Sequence, residues 1–297
     1  MRLYGTPYMG SKSRFAAEIA GFLPPAPCLV DIFAGGCAVT HAALLSGKFR
    51  RIIANDILDA PQLFIDAANG KYRDEKRWIS RDDFFALKDT DPYVRLCWSF
   101  GNNGRDYLYS REVEEWKHAL HLARVHGDTS MLANMGISSD GSRADIMAHH
   151  EEYWHKYAKW LHDQKDIKNE SGKPRKRSLQ RLQSLQSLET RRGDYTQCPL
   201  PDGCIVYCDP PYRNTHGYGT AFDHEAFYSW AEQCPRPVII SEYAMPEDRF
   251  ACVWERHTTT SMAAQGAPKK RIERMFVPRK QIGMWRILTG TLFFGDC

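Results

Sequence analysis

Residues 28 to 57 read "CLVDIF", "AGGCA", "VTHAALLSGK" and, after Phe49, "RRIIANDI". The first and last pieces are short apolar runs with the texture of buried strands. The second is a glycine loop, and the third has the periodicity of a helix closed near Gly47. Strand, loop, helix and strand within about thirty residues form a βαβ unit, which commits the chain to a parallel sheet and an α/β fold. A preceding helix is expected over "SKSRFAAEIAGFL", capped by Ser11 or Ser13, with Phe15, Ile19 and Phe22 on one stripe and "PPAP" at its end.

From about residue 61 the texture becomes amphipathic, aromatic-rich and helical, as in "REVEEWKHALHLARVH" and "HHEEYWHKYAKWLHDQ". This stretch closes with Leu179, Leu182, Leu185 and Leu188 three apart, a slowly drifting stripe suited to packing. Strand texture returns in "GCIVYCD", "RPVIISEY", "RMFVP" and "ILTGTLFF". An α/β sheet interrupted by a helical insertion is the simplest organisation: residues 1–60 and 189–297 form the sheet domain, and 61–188 the insertion.

At 297 residues and 43% hydrophobic, the chain buries a sizeable core. Nine cysteines without a regular framework imply free thiols and a cytoplasmic protein. Cys204 and Cys208 share a strand face, but no ligand spacing completes a zinc site, so no metal is expected. No apolar run approaches the roughly 18 residues needed to span a bilayer. The formal charge is only +4, so a polyanion would meet local patches. Residues 165–178 hold six bases against two acids, and 269–280 hold six against Glu273 alone.

An open α/β sheet binds its ligand beyond the carboxyl edge of its strands. Asp31, Phe33, Gly35 and Gly36 follow the first strand, and Asn55 and Asp56 follow the second. Glycine lets a ligand approach the backbone closely, and an acid about 25 residues on accepts ribose hydroxyls. "DIFAGGCAV" is not the phosphate-cradling GxGxxG, because Cys37 replaces a small residue. A nucleoside cofactor without pyrophosphate, S-adenosylmethionine, therefore fits better than a dinucleotide, although isolated turn residues would also explain Asp31 and Asp56.

The later strand runs directly into Asp209, Pro210, Pro211 and Tyr212. The prolines remove backbone donors and stiffen the turn, leaving bare carbonyls. A carboxylate and a carbonyl together match the two N–H groups of an exocyclic amine on an aromatic ring, which Tyr212 would hold by stacking.

"DPPY" at 209–212, "DIFAGG" at 31–36 and "YMGSK" at 8–12 resemble, in order, the motifs of Dam-type DNA adenine-N6 methyltransferases of the alpha group. The resemblance covers the whole chain and implies a Rossmann-like methyltransferase sheet, mainly parallel and three-layered, whose helical insertion is the target-recognition domain. It assigns catalysis to Asp209, Pro210, Pro211 and Tyr212. It assigns S-adenosylmethionine binding to Tyr8, Gly10, Lys12, Asp31, Phe33, Gly35, Gly36, Asp56 and, from "RRGDYTQ", Asp194. The partner implied is double-stranded DNA, with the target adenine flipped out of the helix by a monomer or homodimer.

"WSFGNNGRDYLYS" at 98–110 looks like the loop by which such enzymes enter DNA, which makes Asn102, Asn103, Arg105 and Tyr107 base- or backbone-contacting candidates, with Tyr109 an alternative stacking ring. Lys173, Arg175, Lys176 and Arg177, with Lys269, Lys270 and Arg271, are candidates for gripping phosphate. Three rival classes remain: an RNA or protein-glutamine methyltransferase, which usually carries Asn in place of Asp209; a dinucleotide oxidoreductase; and a non-catalytic DNA-binding module.

Overall fold

In the computed structural model, residues 4–135, 186–212, 222–259 and 270–290 are described, with the backbone alone at 258, 259, 270 and 271. Two compact units divide the chain: one takes in segments 1–4, 12–61 and 184–297, the other segments 5–11 and 62–183.

The first unit is built on a seven-stranded sheet of order β3-β2-β1-β4-β5-β7-β6. Its strands are β1 (Ala26–Asp31), β2 (Phe49–Asp56), β3 (Leu188–Arg192), β4 (Cys204–Cys208), β5 (Val238–Glu242), β6 (Phe250–Thr259) and β7 (Lys270–Pro278). All are parallel to their neighbours except β7, which runs antiparallel between β5 and β6. Together with the flanking helices this is the Rossmann-like α/β architecture expected of the chain. From β1 the chain works outward to β2 and β3 on one side, and from β4 outward on the other. The order therefore reverses between β1 and β4, which is where such sheets bind ligands.

The buried strands carry the sequences such positions demand. Every residue of β4, "CIVYC", and of β5, "VIISE", is buried, as expected for parallel strands covered on both faces. Edge strand β3 is instead half exposed and charged, and its Glu189 pairs with Arg51 of β2 and with its own Arg191. Cys28, Cys198, Cys204, Cys208 and Cys234 pack into the sheet core as free thiols.

Helix α1 (Ala16–Phe22) begins later than its serines suggest: Phe15 is its cap residue and makes no capping bond, while Ser13 Oγ accepts Tyr4 N at 2.9 Å. Its buried stripe is Ala16, Ile19, Ala20 and Leu23 rather than Phe15, Ile19 and Phe22, because the small alanines allow close packing. Helix α2 (Ala38–Ser46) ends at Gly47 with φ 70°, the left-handed stop that glycine permits.

Two further expectations fail in this unit. Leu188 opens β3 instead of ending a helical stripe, and Leu179, Leu182 and Leu185 lie outside the described residues. The run "ILTGTLFF" begins in a helix of residues Ile282–Thr289, where Trp285 is buried and donates from Nε1 to Val238 O at 3.2 Å. A short apolar run has no length to separate strand from helix. Strand β6 went unrecognised because "ACVWERHTT" is mixed in polarity, as an outer strand can be.

The second unit contains α4 (Arg81–Leu87), α5 (Pro92–Cys97), α6 (Arg111–His121) and α7 (Ser130–Asn134), while α3 (Ala60–Ala68) crosses the boundary. Ser80 and Asp91 cap α4 and α5 by accepting from Asp83 N and from Tyr93 N and Val94 N. The helix of residues 282–289 is α9, and His224–Gln233 forms α8.

Candidate active site

Asp31 ends β1 and pairs in register with Tyr207 of β4, two residues before Asp209. Side chains two apart on a strand share a face, so Asp31, Tyr207 and Asp209 converge at the point where the strand order reverses. Asp31 Oδ2 accepts from Thr40 Oγ1 at 2.6 Å and Thr40 N at 3.2 Å. Its Oδ1 and Tyr207 Oη are buried and have no hydrogen-bond partner among the described residues. Two such atoms on neighbouring strands, beside the buried Asp209 carboxylate, make a concentrated demand for a polar ligand. Burial, partly relieved by Thr40, lifts the Asp31 carboxyl to about 7.

Lys12 Nζ lies 2.8 Å from Asp209 Oδ1 and 4.3 Å from the centre of the Tyr212 ring. The first is a contact between a buried ammonium and a buried carboxylate oxygen. Burial works against the lysine's charge, but Asp209 and then Glu273 outweigh it and raise its pKa, so the ammonium persists. Asp209 is pushed upward by burial and pulled back by Lys12. The Tyr212 hydroxyl lies 3.0 Å from Ser241 Oγ and donates to Glu273 Oε2 at 3.1 Å, while its ring meets Tyr243 edge to face at 4.5 Å. Pro210 is buried and Pro211 partly so, which leaves the turn rigid.

The glycine loop is tied to β2. Asp56 Oδ2 accepts Gly35 N and Oδ1 accepts Leu58 N, each at 2.9 Å, and burial lifts this carboxyl to about 6. Gly35 has φ 47° and Cys37 φ 61°; only the first is a residue for which that region is easy. Cys37 N donates to Ala34 O at 2.7 Å, closing the turn, and Gly36 follows Gly35 within it. Phe33 packs against Tyr195, Phe222 and Phe227 in the core cluster. Asn55 bridges Ile32 O and Gly193 O at 3.1 Å each, and Asp194 beyond β3 accepts from Thr196 N at 2.9 Å. Ile57, next to Asp56, is 67% exposed, an apolar surface at the strand edge that the sequence reading did not single out.

Tyr8 and Gly10 sit in a tight turn, with Ser11 N on Tyr8 O at 3.1 Å and Gly10 at φ 77°, and they cluster with the second unit. In that unit the loop 99–107 is held by its own side-chain hydrogen bonds. Asn102 Nδ2 donates to Leu96 O at 2.8 Å, and Asn103 Oδ1 accepts Arg105 N and Asp106 N at 2.8 and 3.1 Å. Asn103 Nδ2 also donates to Asp106 Oδ2 at 2.7 Å, so both amides are spent holding the loop. Tyr107 is buried, with its hydroxyl on Ile79 O at 2.7 Å and Arg81 over its ring. Tyr109 lies nearly parallel to Trp78, with ring centres 5.7 Å apart. Arg105 is exposed, and so is Phe100, at 67%.

Lys173, Arg175, Lys176, Arg177 and Lys269 lie outside the described residues; Lys270 and Arg271 open β7, paired in register with Thr259 and Thr258. Among the described residues no three His, Cys, Asp or Glu side chains gather as a metal would require, and no helix is long and apolar enough to cross a membrane.

Residues 8–239 match the family model of the D12 class N6 adenine-specific DNA methyltransferases. No curated protein matches the chain. Two solved structures of the rRNA methyltransferase aviRa from Streptomyces viridochromogenes are similar to it, at 12% and 14% identity and TM-scores of 0.36 and 0.39, each covering 94% of this chain and 89% of that one.

Proposed function

Because the chain belongs to the D12 class of N6 adenine-specific DNA methyltransferases, we propose that it methylates the exocyclic N6 of adenine in double-stranded DNA, using S-adenosylmethionine and flipping the target base out of the duplex. The observation that carries this reading is Asp209 Oδ1: a buried carboxylate oxygen at the mouth of β4, with the Lys12 ammonium 2.8 Å away.

The N6 lone pair of adenine is delocalised into the ring, so the amine is a weak nucleophile. Asp209 accepts one of its N–H groups and the Pro210 carbonyl the other, which orients the nitrogen lone pair away from the turn. The Tyr212 ring supports the base by stacking, worth about 1–3 kcal/mol. Lys12 opposes the rise that burial imposes on the Asp209 carboxyl and so favours its acceptor form. Positioning of this kind accounts for most of the acceleration expected of a methyl transfer.

S-Adenosylmethionine supplies an electrophilic sulfonium methyl when bound. Asp31 Oδ1 fits its ammonium group, since the oxygen is buried without a partner and a cation there would draw the carboxyl into its ionised form. Gly35 and Gly36 would admit it to the backbone, Asp56 and Asp194 would serve its nucleoside end, Ile57 would offer its base an apolar surface, and Lys12 would complete these contacts; the family resemblance gives the same role to Tyr8 and Gly10. Phe33 supports the loop from the core side.

On the DNA side, Phe100 and Arg105, exposed in the 99–107 loop along with Asp106, are the groups suited to contact. Arg175, Lys176 and Arg177, with Lys173 and the 269–271 cluster, supply phosphate contacts that offset the cost of unstacking a base, a few kcal/mol. Transfer of a labelled methyl group from S-adenosylmethionine to duplex DNA, single-stranded DNA and RNA tests the reading. Label on adenine N6 of duplex DNA is expected, and label confined to RNA would overturn it.

A further inference from the structure

Glu273 is the lone acid among the bases of residues 269–280, yet it is buried, 9% exposed, on antiparallel strand β7. A buried carboxylate at the end of a sheet carries a desolvation cost that its surroundings must offset. Its recorded hydrogen bond is from the Tyr212 hydroxyl, at 3.1 Å. Ser241 of β5 approaches the same hydroxyl at 3.0 Å, so two strands hold one phenol between them. The same ring has the Lys12 ammonium on its face and the edge of Tyr243 at 4.5 Å. The hydroxyl lies on the ring's Cβ–Cγ axis, so bonds there fix where that axis points relative to Asp209, while the Lys12 ammonium on the face and the Tyr243 edge hold the plane.

We propose that Glu273 is a positioning residue for methyl transfer: by accepting the Tyr212 hydroxyl it fixes where the ring that stacks on the target base is aimed. The inference rests on the adenine-methylating role given to Asp209 and Tyr212 above. Burial, with Asp209 and Glu273 nearby, drives the Tyr212 phenol well above its ordinary pKa, so it remains a donor at neutral pH. Glu273 touches neither the reacting nitrogen nor the methyl group in this arrangement, so its effect belongs on kcat rather than on cofactor binding.

Full-length protein is compared as wild type, Glu273→Ala, Glu273→Gln, Tyr212→Phe, the Glu273→Ala/Tyr212→Phe double variant and Asp209→Ala, with plasmid DNA and S-adenosylmethionine. Glu273→Ala and Tyr212→Phe should each lower kcat about 10- to 100-fold, the scale of a small misplacement, with cofactor KM within about threefold. Glu273→Gln, which still accepts the hydroxyl, should return kcat to within about threefold of wild type, and the double variant should be no worse than either single one. Unchanged kcat in Tyr212→Phe, no rescue by glutamine, or multiplicative losses in the double variant would overturn the inference; Tyr212→Phe keeps the test open if Glu273→Ala does not fold. An active Asp209→Ala would sink the underlying function instead, whereas an inactive Asp209→Ala beside a fully active Glu273→Ala would sink this inference alone.

Discussion

The Lys12 ammonium stands 2.8 Å from Asp209 Oδ1, both side chains largely buried, at 9% and 18% exposed. A positive charge there favours the ionised carboxylate and opposes the upward push of burial. Asp209 must be ionised to accept an amine N–H, so the acidic limb of the pH–rate profile reports its pKa. Replacing Lys12 by Met removes the lowering influence, and the limb should move to higher pH by about one unit or more. Lys12→Arg should leave it near its wild-type position. The same Lys12→Met change should cost roughly 3 kcal/mol of stability, because it strands a buried charge.

Asp31 predicts a pH dependence of stability with a definite sign. Its folded-state pKa is about 7, above the roughly 3.9 of an unfolded chain. Between those values the folded state retains a proton that the unfolded state has released. Its contribution is therefore complete below about pH 4 and is lost as pH rises to about 7. Urea unfolding at pH 5 and pH 8 should show a loss of stability that is smaller in Asp31→Asn by up to about 2 kcal/mol. A cationic amino group bound at Asp31 would favour its ionised form, so S-adenosylmethionine should bind more tightly, with proton release, as pH rises from 6 to 8.

The loop at 99–107 separates holding from contacting. Asn103 fastens Arg105 N, Asp106 N and Asp106 Oδ2. Asn103→Ala should speed protease cleavage within the loop. Phe100, 67% exposed, contributes little to the fold. Phe100→Ala should leave the melting temperature within about 1 °C, since surface changes usually stay within about 0.5 kcal/mol. Its duplex-DNA affinity should fall severalfold, read by fluorescence anisotropy.

Much of this site was legible because its signals are local. An apolar run ending in Asp-Pro-Pro-Tyr declares a strand and a rigid turn, and a glycine loop between two strands declares a βαβ unit. What escaped the sequence depends on distant partners. Glu273 reaches Tyr212 only through the antiparallel insertion of β7, and sixty-one residues separate them. Lys12 was assigned to the cofactor on resemblance, while its contact with Asp209 needs α1 and β4 brought together. At Asn102 and Asn103 the residue type revealed hydrogen-bonding capacity but not that the loop would use it internally. Tyr107 shows the same limit for burial, because an aromatic in a polar loop reads as a surface ring until its hydroxyl finds Ile79 O.

The most direct measurement is the adenine methylation pattern of DNA from methylation-deficient cells expressing either the wild-type chain or Asp209→Ala. Wild type should leave N6-methyladenine in one defined sequence context, and Asp209→Ala should leave none while still binding S-adenosylmethionine. Unmodified DNA from cells making the folded wild-type protein, or an undiminished pattern with Asp209→Ala, would contradict the placement of chemistry at the β4 turn.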